Sequence, residues 1–361
     1  MIKYYSDFEI PFIILLLVVL FFFGLNTRVK KESIGWGIDR NYSSVLKAIG
    51  CVLVLVGHYE AHIHLSNDDL SKLGGLIYCT TANVGLVWFM FISGYGLSLS
   101  NMPGHILPIA LRRYSKVYLP LLFISVLSLC LYAILPVPDE AYLERYTVSK
   151  LLMVMHNVTS QNIIDAIIWG GGLIDWYVMC IIMFYTLFYI ARYLSRTIGV
   201  LRSAQGETIV LSFLLLLYYI IAFQVAGYEN AHYYRLTWAF LFGHLLARYK
   251  SISRSLLIIC IVCGFATFCF EHYTMIFSFI VAILGLYICI NQNHTKTYSK
   301  GPLLFLGTIS YFFYLTHGRI SWVILNLMGN HDVILWILLT IVVSFLCKKI
   351  YDYISCNLKI G

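Results

Sequence analysis

Lys47 and His58 sit 11 residues apart in an otherwise apolar run. At about 100° per residue this spacing is three helical turns plus roughly 20°, so both side chains share one helix face. The rise between them is on the order of 16 Å. Imidazole is the side chain whose proton moves near neutral pH, and it suits removal of a proton from a hydroxyl nucleophile. A cation at the other end of the same stripe suits a phosphorylated group. The pair points to an anionic carrier held in the cytoplasm, with a reactive end reaching about 16 Å into the membrane. A pantetheine arm is of about that length. Plainer readings stand beside this one: Lys47 as a snorkelling residue at a cytoplasmic helix end, and His58 as a hydrogen-bonded packing histidine. His62 adds an i, i+4 partner, but no carboxylate shares the stripe, so no metal is expected.

Other residues qualify more weakly. In Phe91-Ile92-Ser93-Gly94-Tyr95-Gly96 the small residues Ser93, Gly94 and Gly96 let a neighbouring backbone or ligand approach closely, as they would in plain helix packing. Arg112, Arg113 and Lys116, ahead of Pro120, suit phosphate binding or an ordinary basic loop. Asp175-Trp176-Tyr177 follows a glycine triplet at the entrance to a span, where an aromatic belt is the simpler account. His317 and Arg319 lie in the outer half of a late span; snorkelling explains Arg319 as well as a site does. No P-loop, paired zinc motif, GxSxG or acidic sugar-nucleotide signature appears. That argues against an ATP-driven pump and a cytoplasmic glycosyltransferase.

The elements that must position these residues follow from composition. Of 361 residues 60% are hydrophobic and only 12% charged. A soluble domain carries about 25% charge, so this chain cannot clothe a water-facing surface. It is read as an all-α polytopic integral membrane protein. Eleven candidate spans are expected, at about 8–25, 45–65, 76–99, 117–135, 174–194, 208–226, 234–248, 255–270, 273–290, 303–326 and 333–350. The first is an uncleaved span, because basic residues (Arg28, Lys30, Lys31) follow rather than precede it. Basic clusters then recur on alternate loops, which places the N-terminus outside and the C-terminus in the cytoplasm. The same sorting accounts for the net charge of +8 without nucleic acid. Loop 136–173 holds an apolar stretch, Asn162–Trp169, read as re-entrant or interfacial. The ten cysteines fall mostly inside apolar runs, where a thiol is a small apolar group, so no disulfide framework is expected. Cys260 and Cys263 have CxxC spacing without a second pair and carry no metal reading. No internal repeat is evident, which weakens the case for a transporter built from inverted halves.

These residues resemble the membrane-bound acyltransferase family 3 proteins, which O-acylate cell-surface glycans. The resemblance runs from about Asn41 to Ser344. Leu46-Lys47-Ala48-Ile49-Gly50 through Val54-Leu55-Val56-Gly57-His58 is similar to the family signature of a basic residue and a histidine. Phe91-Ile92-Ser93-Gly94-Tyr95 resembles its second motif, and Arg112-Arg113 to Lys116 and Pro120 the basic motif after it. Trp176-Tyr177 with Tyr185 resembles its aromatic span. Arg235-Leu236 to Phe242-Gly243, and Leu306-Gly307-Thr308-Ile309-Ser310-Tyr311 to Tyr314-Leu315-Thr316-His317, resemble its late spans. The chain departs from the pattern in having Lys47 where arginine is common and an extra N-terminal span before the usual ten.

The resemblance divides the chain into residues 1–40, an extra span and basic loop, and 41–361, the membrane acyltransferase domain. Some relatives carry a further extracytoplasmic esterase-like domain, and none is expected after Gly361. The resemblance implies a bacterial inner-membrane enzyme moving an acetyl or other short acyl group from cytoplasmic acyl-CoA to a hydroxyl of a cell-surface or lipid-linked polysaccharide. His58 would be catalytic, as general base or as acyl carrier. Lys47, Arg112, Arg113 and Lys116 would hold the acyl-CoA phosphates. Ser93, Gly94, Tyr95, Asp175, Trp176, His317 and Arg319 would shape the substrate site. Implied partners are acyl-CoA as donor substrate, the glycan acceptor and membrane lipids, with no permanently bound cofactor and a homodimer left open. The competing readings are a transporter or flippase for a lipid-linked glycan or acyl donor, and a polyprenyl-phosphate-sugar glycosyltransferase. The first leaves the Lys47–His58 stripe unexplained; the second wants acidic outer loops, and these are only mildly acidic.

Overall fold

Asp39 begins the first well-defined helix by capping it. Its Oδ1 accepts the Tyr42 N–H at 2.8 Å and its carbonyl accepts the Ser43 N–H at 2.9 Å, satisfying donors that a helix start leaves orphaned. Helix α1 runs Arg40–Leu65, followed by α2 (Lys72–Leu99), α3 (Ile106–Ile134), α4 (Trp176–Thr197), α5 (Ala204–Ala226), α6 (Thr237–Tyr249), α7 (Pro302–Trp322) and α8 (Val333–Asn357). The same logic starts the others. Ser203 Oγ accepts the Gly206 N–H before α5. Asp332 Oδ1 accepts the Ile334 and Leu335 N–H groups before α8. Pro302 opens α7 at a position that needs no N–H, after Gly301 at φ 144°. Inside the helices, hydroxyls of Ser98, Ser128, Thr186, Thr316, Thr340 and Ser344 donate to the carbonyl four residues back. Each is thereby satisfied without water.

This is a computed structural model that describes residues 38–65, 72–100, 105–134, 176–226, 234–249, 280–287, 301–324 and 332–357, with residues 13, 15–17, 19–21, 25–26 and 297–298. Among them, five helices are long and apolar enough to cross a membrane: Arg40–Tyr59, Thr81–Leu99, Tyr177–Thr197, Ala204–Gln224 and Val333–Asn357. All five coincide with expected spans. The expected spans at 117–135 and 303–326 fall on α3 and α7, the latter diluted by Ser310, Thr316, His317 and Arg319. The described part of α6 is 13 residues, about 20 Å, short of a hydrocarbon core of about 30 Å. The expected span 255–270, most of 273–290, the loop 136–173, Asp175, and the Cys260–Cys263 pair lie outside the described residues. So do most residues of the expected first span and the basic residues Arg28, Lys30 and Lys31 that follow it.

The described residues form two units, one of residues 1–99 with 242–360 and one of residues 100–241. In the first, α1 and α2 are antiparallel and close, because glycines line the seam. A methyl group at Gly85 would lie 2.5 Å from the Gly50 carbonyl oxygen, and Gly57 meets Ala82 at the other end. Helix α7 packs on α1 in parallel, Gly307 against Ser44, Ser310 against Cys51 and His317 against His58. Helix α8 returns antiparallel to α7, with Phe312 against Tyr351 and Thr316 Oγ1 2.8 Å from Ser344 Oγ. One small departure from an all-helical chain is a two-residue antiparallel ladder, β1 (Leu25–Asn26) with β2 (Thr297–Tyr298), which ties together the loops ahead of α1 and α7. The spans of α1 and α2 are 72% buried, while that of α8 is 28% buried, so α1 and α2 are interior and α8 turns a broad apolar face outward.

In the second unit, α3 meets α4 through Tyr114, whose hydroxyl lies 2.7 Å from Thr186 Oγ1 and whose ring packs edge-on against Tyr189. Helices α4 and α5 are joined at their turn by a buried ion pair, Arg192 Nη2 to Glu207 Oε1 at 2.9 Å. Arg192 also donates to the Ser100 carbonyl and lies over the Phe188 ring. Arg192 itself is almost fully buried.

Candidate functional site

The α1–α7 seam brings the two candidate histidines together. The rings of His58 and His317 are centred 5.1 Å apart and tilted by 39°. His58 is half-buried and His317 buried. The His317 side chain folds back along α7 so that Nδ1 lies 2.5 Å from the Tyr314 carbonyl oxygen. A carbonyl can only accept, so Nδ1 carries the hydrogen, and the lone pair of the neutral ring is on Nε2. Trp336 of α8 holds the same turn from the other side, its Nε1–H donating to the His317 carbonyl at 2.9 Å. Rings close the surround: Tyr314 packs on both His317 and Phe89, and Tyr59 on Trp336. Arg319 is half-buried and its Nη1 donates to the Leu315 carbonyl. This turns its guanidinium back along α7.

Lys47 and His58 lie on one uninterrupted helix, as their spacing requires. Lys47 is half-buried. Between them on the stripe, the buried Cys51 thiol donates to the Ser310 carbonyl at 3.0 Å. The stripe is thus the surface α1 presents to α7, with Lys47 at one end and the histidine pair at the other.

The second candidate motif has a packing role. The Tyr95 hydroxyl accepts the Ile38 N–H at 2.9 Å, and its ring stacks on Phe91. The Gly94 carbonyl accepts the Ser98 hydroxyl, which uses that oxygen's only hydrogen. His244 Nδ1, 2.7 Å from Ser98 Oγ, must then be the donor of that bond. A methyl group at Gly243 would sit 2.0 Å from the Phe91 carbonyl oxygen, so α6 and α2 touch backbone to backbone there. Two motifs read separately in the sequence are one interface. Gly96 departs from the expected close approach: it is exposed, and a methyl group there meets no described atom within 4 Å. Ser93 is half-buried on the same helix.

Arg112, Arg113 and Lys116 are exposed on the first turns of α3, in the unit of residues 100–241. Tyr114 turns inward between them, so the three cations share the outward side. Trp176 opens α4 and Tyr177 beside it is buried. The structure therefore unites Lys47, His58, His317 and Arg319 within one unit and carries the three α3 cations in the other. Sequence reasoning missed the Ser98–His244 bond and the Arg192–Glu207 pair. The signals were a histidine one residue from a motif glycine, and a single acid among the basic residues of one turn.

Buried helices with self-satisfied hydroxyls, small-residue seams and outward apolar faces define an integral membrane protein, and it encloses a histidine pair. A family model, described as an acyltransferase domain of the acyltransferase 3 type, matches residues 40–348, from the first residue of α1 into α8. The chain belongs to this acyltransferase family and is a membrane acyltransferase. No curated protein and no solved structure matches it.

Proposed function

We propose that the protein moves an acetyl or other short acyl group from cytoplasmic acyl-CoA across the membrane to a hydroxyl of a cell-surface or lipid-linked polysaccharide. The observation that carries this reading is the continuous stripe from Lys47 to His58, closed over by α7 so that His58 meets His317. The cationic end suits the phosphates of the donor, and Arg112, Arg113 and Lys116 are a second cationic group of the same chemistry. The rise of about 16 Å matches a pantetheine arm, and the imidazole end is where thioester and hydroxyl would react. The chain would lie in a bacterial inner membrane with its N-terminus outside and its C-terminus in the cytoplasm. The acyl-CoA is a substrate, and no resident cofactor enters the scheme.

The test uses purified protein, radiolabelled acetyl-CoA and polysaccharide prepared from the cells that make the protein. Label is expected in the polysaccharide in an alkali-labile form. Absence of both transfer and acetyl-CoA binding would overturn the proposal, and movement of an unacylated lipid-linked glycan would support the flippase reading instead.

A further inference from the structure

We propose that the first turns of α3 bind the phosphate of an anionic phospholipid, with Tyr189 of α4 as a hydrogen-bond donor to it. Every residue involved lies in the unit of residues 100–241. Arg112, Arg113 and Lys116 are exposed there. Arg112 and Lys116 are one turn apart, a spacing at which like charges repel along a helix. Among the described residues of this unit the only acid is Glu207, and Arg192 holds it. None of the three cations makes an ion pair or a side-chain hydrogen bond with a described residue. The group lacks a counter-charge of its own and suits an anion from outside the chain.

The apolar surface beside the cations decides which anion fits. Leu107 and Leu111 are 68% and 58% exposed, and Leu122 is 60% exposed. At about 100° per residue these three fall within about 60° of one helix face. Arg112, Arg113 and Lys116 occupy a separate arc of about 100°. Leu107 and Leu111 precede the cations and lie outside the expected span 117–135, so the hydrocarbon core does not cover them. A helix divided in this way lies in the headgroup region, its apolar arc against acyl chains and its cations among phosphates. A nucleotide arriving from water would meet the cations and leave both leucines wet. Tyr189 is the second observation. Its hydroxyl is buried and has no hydrogen-bond partner among the described residues. Its ring packs edge-on against Tyr114, and Arg113 is in electrostatic reach. The Tyr114 and Thr186 hydroxyls beside it are engaged with each other at 2.7 Å. A buried donor left unmatched is costly, and a phosphate oxygen drawn to the seam by Arg113 gives this one its acceptor. The α3 cations thus serve the membrane and leave the donor to the Lys47 end. The inference holds whatever group the enzyme transfers.

Purified full-length protein in neutral detergent is titrated with dioctanoyl phosphatidylglycerol and with dioctanoyl phosphatidylcholine, using CoA and inorganic phosphate as competitors. Saturable binding of the phosphatidylglycerol is expected, about a hundredfold tighter than the phosphatidylcholine, from three cations at roughly fivefold each. The preference should shrink as salt rises. Neither competitor at equal concentration is expected to displace the lipid. Arg112→Gln combined with Lys116→Gln should weaken phosphatidylglycerol binding about twenty-five-fold and leave phosphatidylcholine unchanged. Tyr189→Phe removes only the hydroxyl and should weaken phosphatidylglycerol binding at least about tenfold. The thermal midpoint without lipid checks that each variant is folded, and the wild-type comparison needs no variant. Equal affinity for the two lipids, or binding of neither, would overturn the proposal. Displacement by CoA would make the acyl donor the occupant, and displacement by inorganic phosphate would make it a free anion; either overturns the lipid assignment. Unchanged affinity in Tyr189→Phe would remove Tyr189 from the site. None of these outcomes decides acyl transfer, which is read separately as label in the polysaccharide.

Discussion

Lys47 and His58 divide one helix face between an electrostatic end and a chemical end, and the two should fail differently. His58→Ala should lower acyl transfer by at least about a hundredfold, with label transfer at matched protein level as the measurement. Lys47→Ala should instead raise the KM for acetyl-CoA about tenfold with kcat little changed, the scale of one lost hydrogen bond to a charged group. Lys47→Arg should restore most of it, since the charge is kept. A fall in kcat alone for Lys47→Ala would refute the donor-binding role. Both residues were legible in the sequence because helical periodicity is a local property: 11 residues on an apolar run settle a shared face whatever packs against it. The partnership of His58 with His317 was not legible. It depends on α7 returning to α1, a contact between distant parts of the chain, and the Nδ1–H bond to Tyr314 depends on a rotamer no spacing encodes. The glycines were legible as small residues but not as to partner. Gly243 fits against Phe91 while Gly96 faces open space.

Helix pairs are held here by two kinds of contact, close backbone approach and buried polar bonds, and each is open to a direct test. Gly243→Leu would force a side chain into the Phe91 carbonyl and should cost about 1–3 kcal/mol as overpacking, read as a lower thermal midpoint in detergent. Gly96→Ala, with no described atom in reach, should leave the midpoint unchanged. Equal effects of the two would mean that the α2–α6 approach is not structural. Arg192 and Glu207 are 4% and 8% exposed. Removing one partner strands a buried charge, and Glu207→Ala should cost about 3–5 kcal/mol. Replacing the pair together with apolar residues should cost less. The helices themselves were largely legible, because long apolar runs bounded by Asp39, Ser203 and Asp332 leave little choice. Where pattern and structure part, the cause is packing. Arg192 stands in a basic stretch of the sequence, yet Glu207 pairs with it inside.

The arrangement of α1, α7 and α8 constrains the whole molecule more tightly than any loop charge does. Helices α1 and α7 lie side by side in parallel, with Ser44, Cys51 and His58 meeting Gly307, Ser310 and His317 in turn. Two parallel spans of one chain are separated by an odd number of crossings. The seven spans expected between them satisfy that, and six or eight would not. The ladder of Leu25–Asn26 with Thr297–Tyr298 repeats the requirement by joining the loops ahead of the two helices. Since α8 runs antiparallel to α7, its C-terminal end returns to the surface from which α1 starts. Two positions at opposite ends of the sequence, Asn41 and Cys356, both exposed, must therefore face one side of the membrane. In the proposed topology that side is the cytoplasm. In a cysteine-free background, Asn41→Cys and a variant retaining only Cys356 should react with a membrane-impermeant maleimide in inverted vesicles and not in intact cells. Labelling of the two from opposite sides would break the parallel packing that unites His58 with His317, and with it the candidate site. Labelling of both from outside would keep the site but reverse it, putting the Lys47 end where no acyl-CoA is available and overturning the proposed direction of transfer.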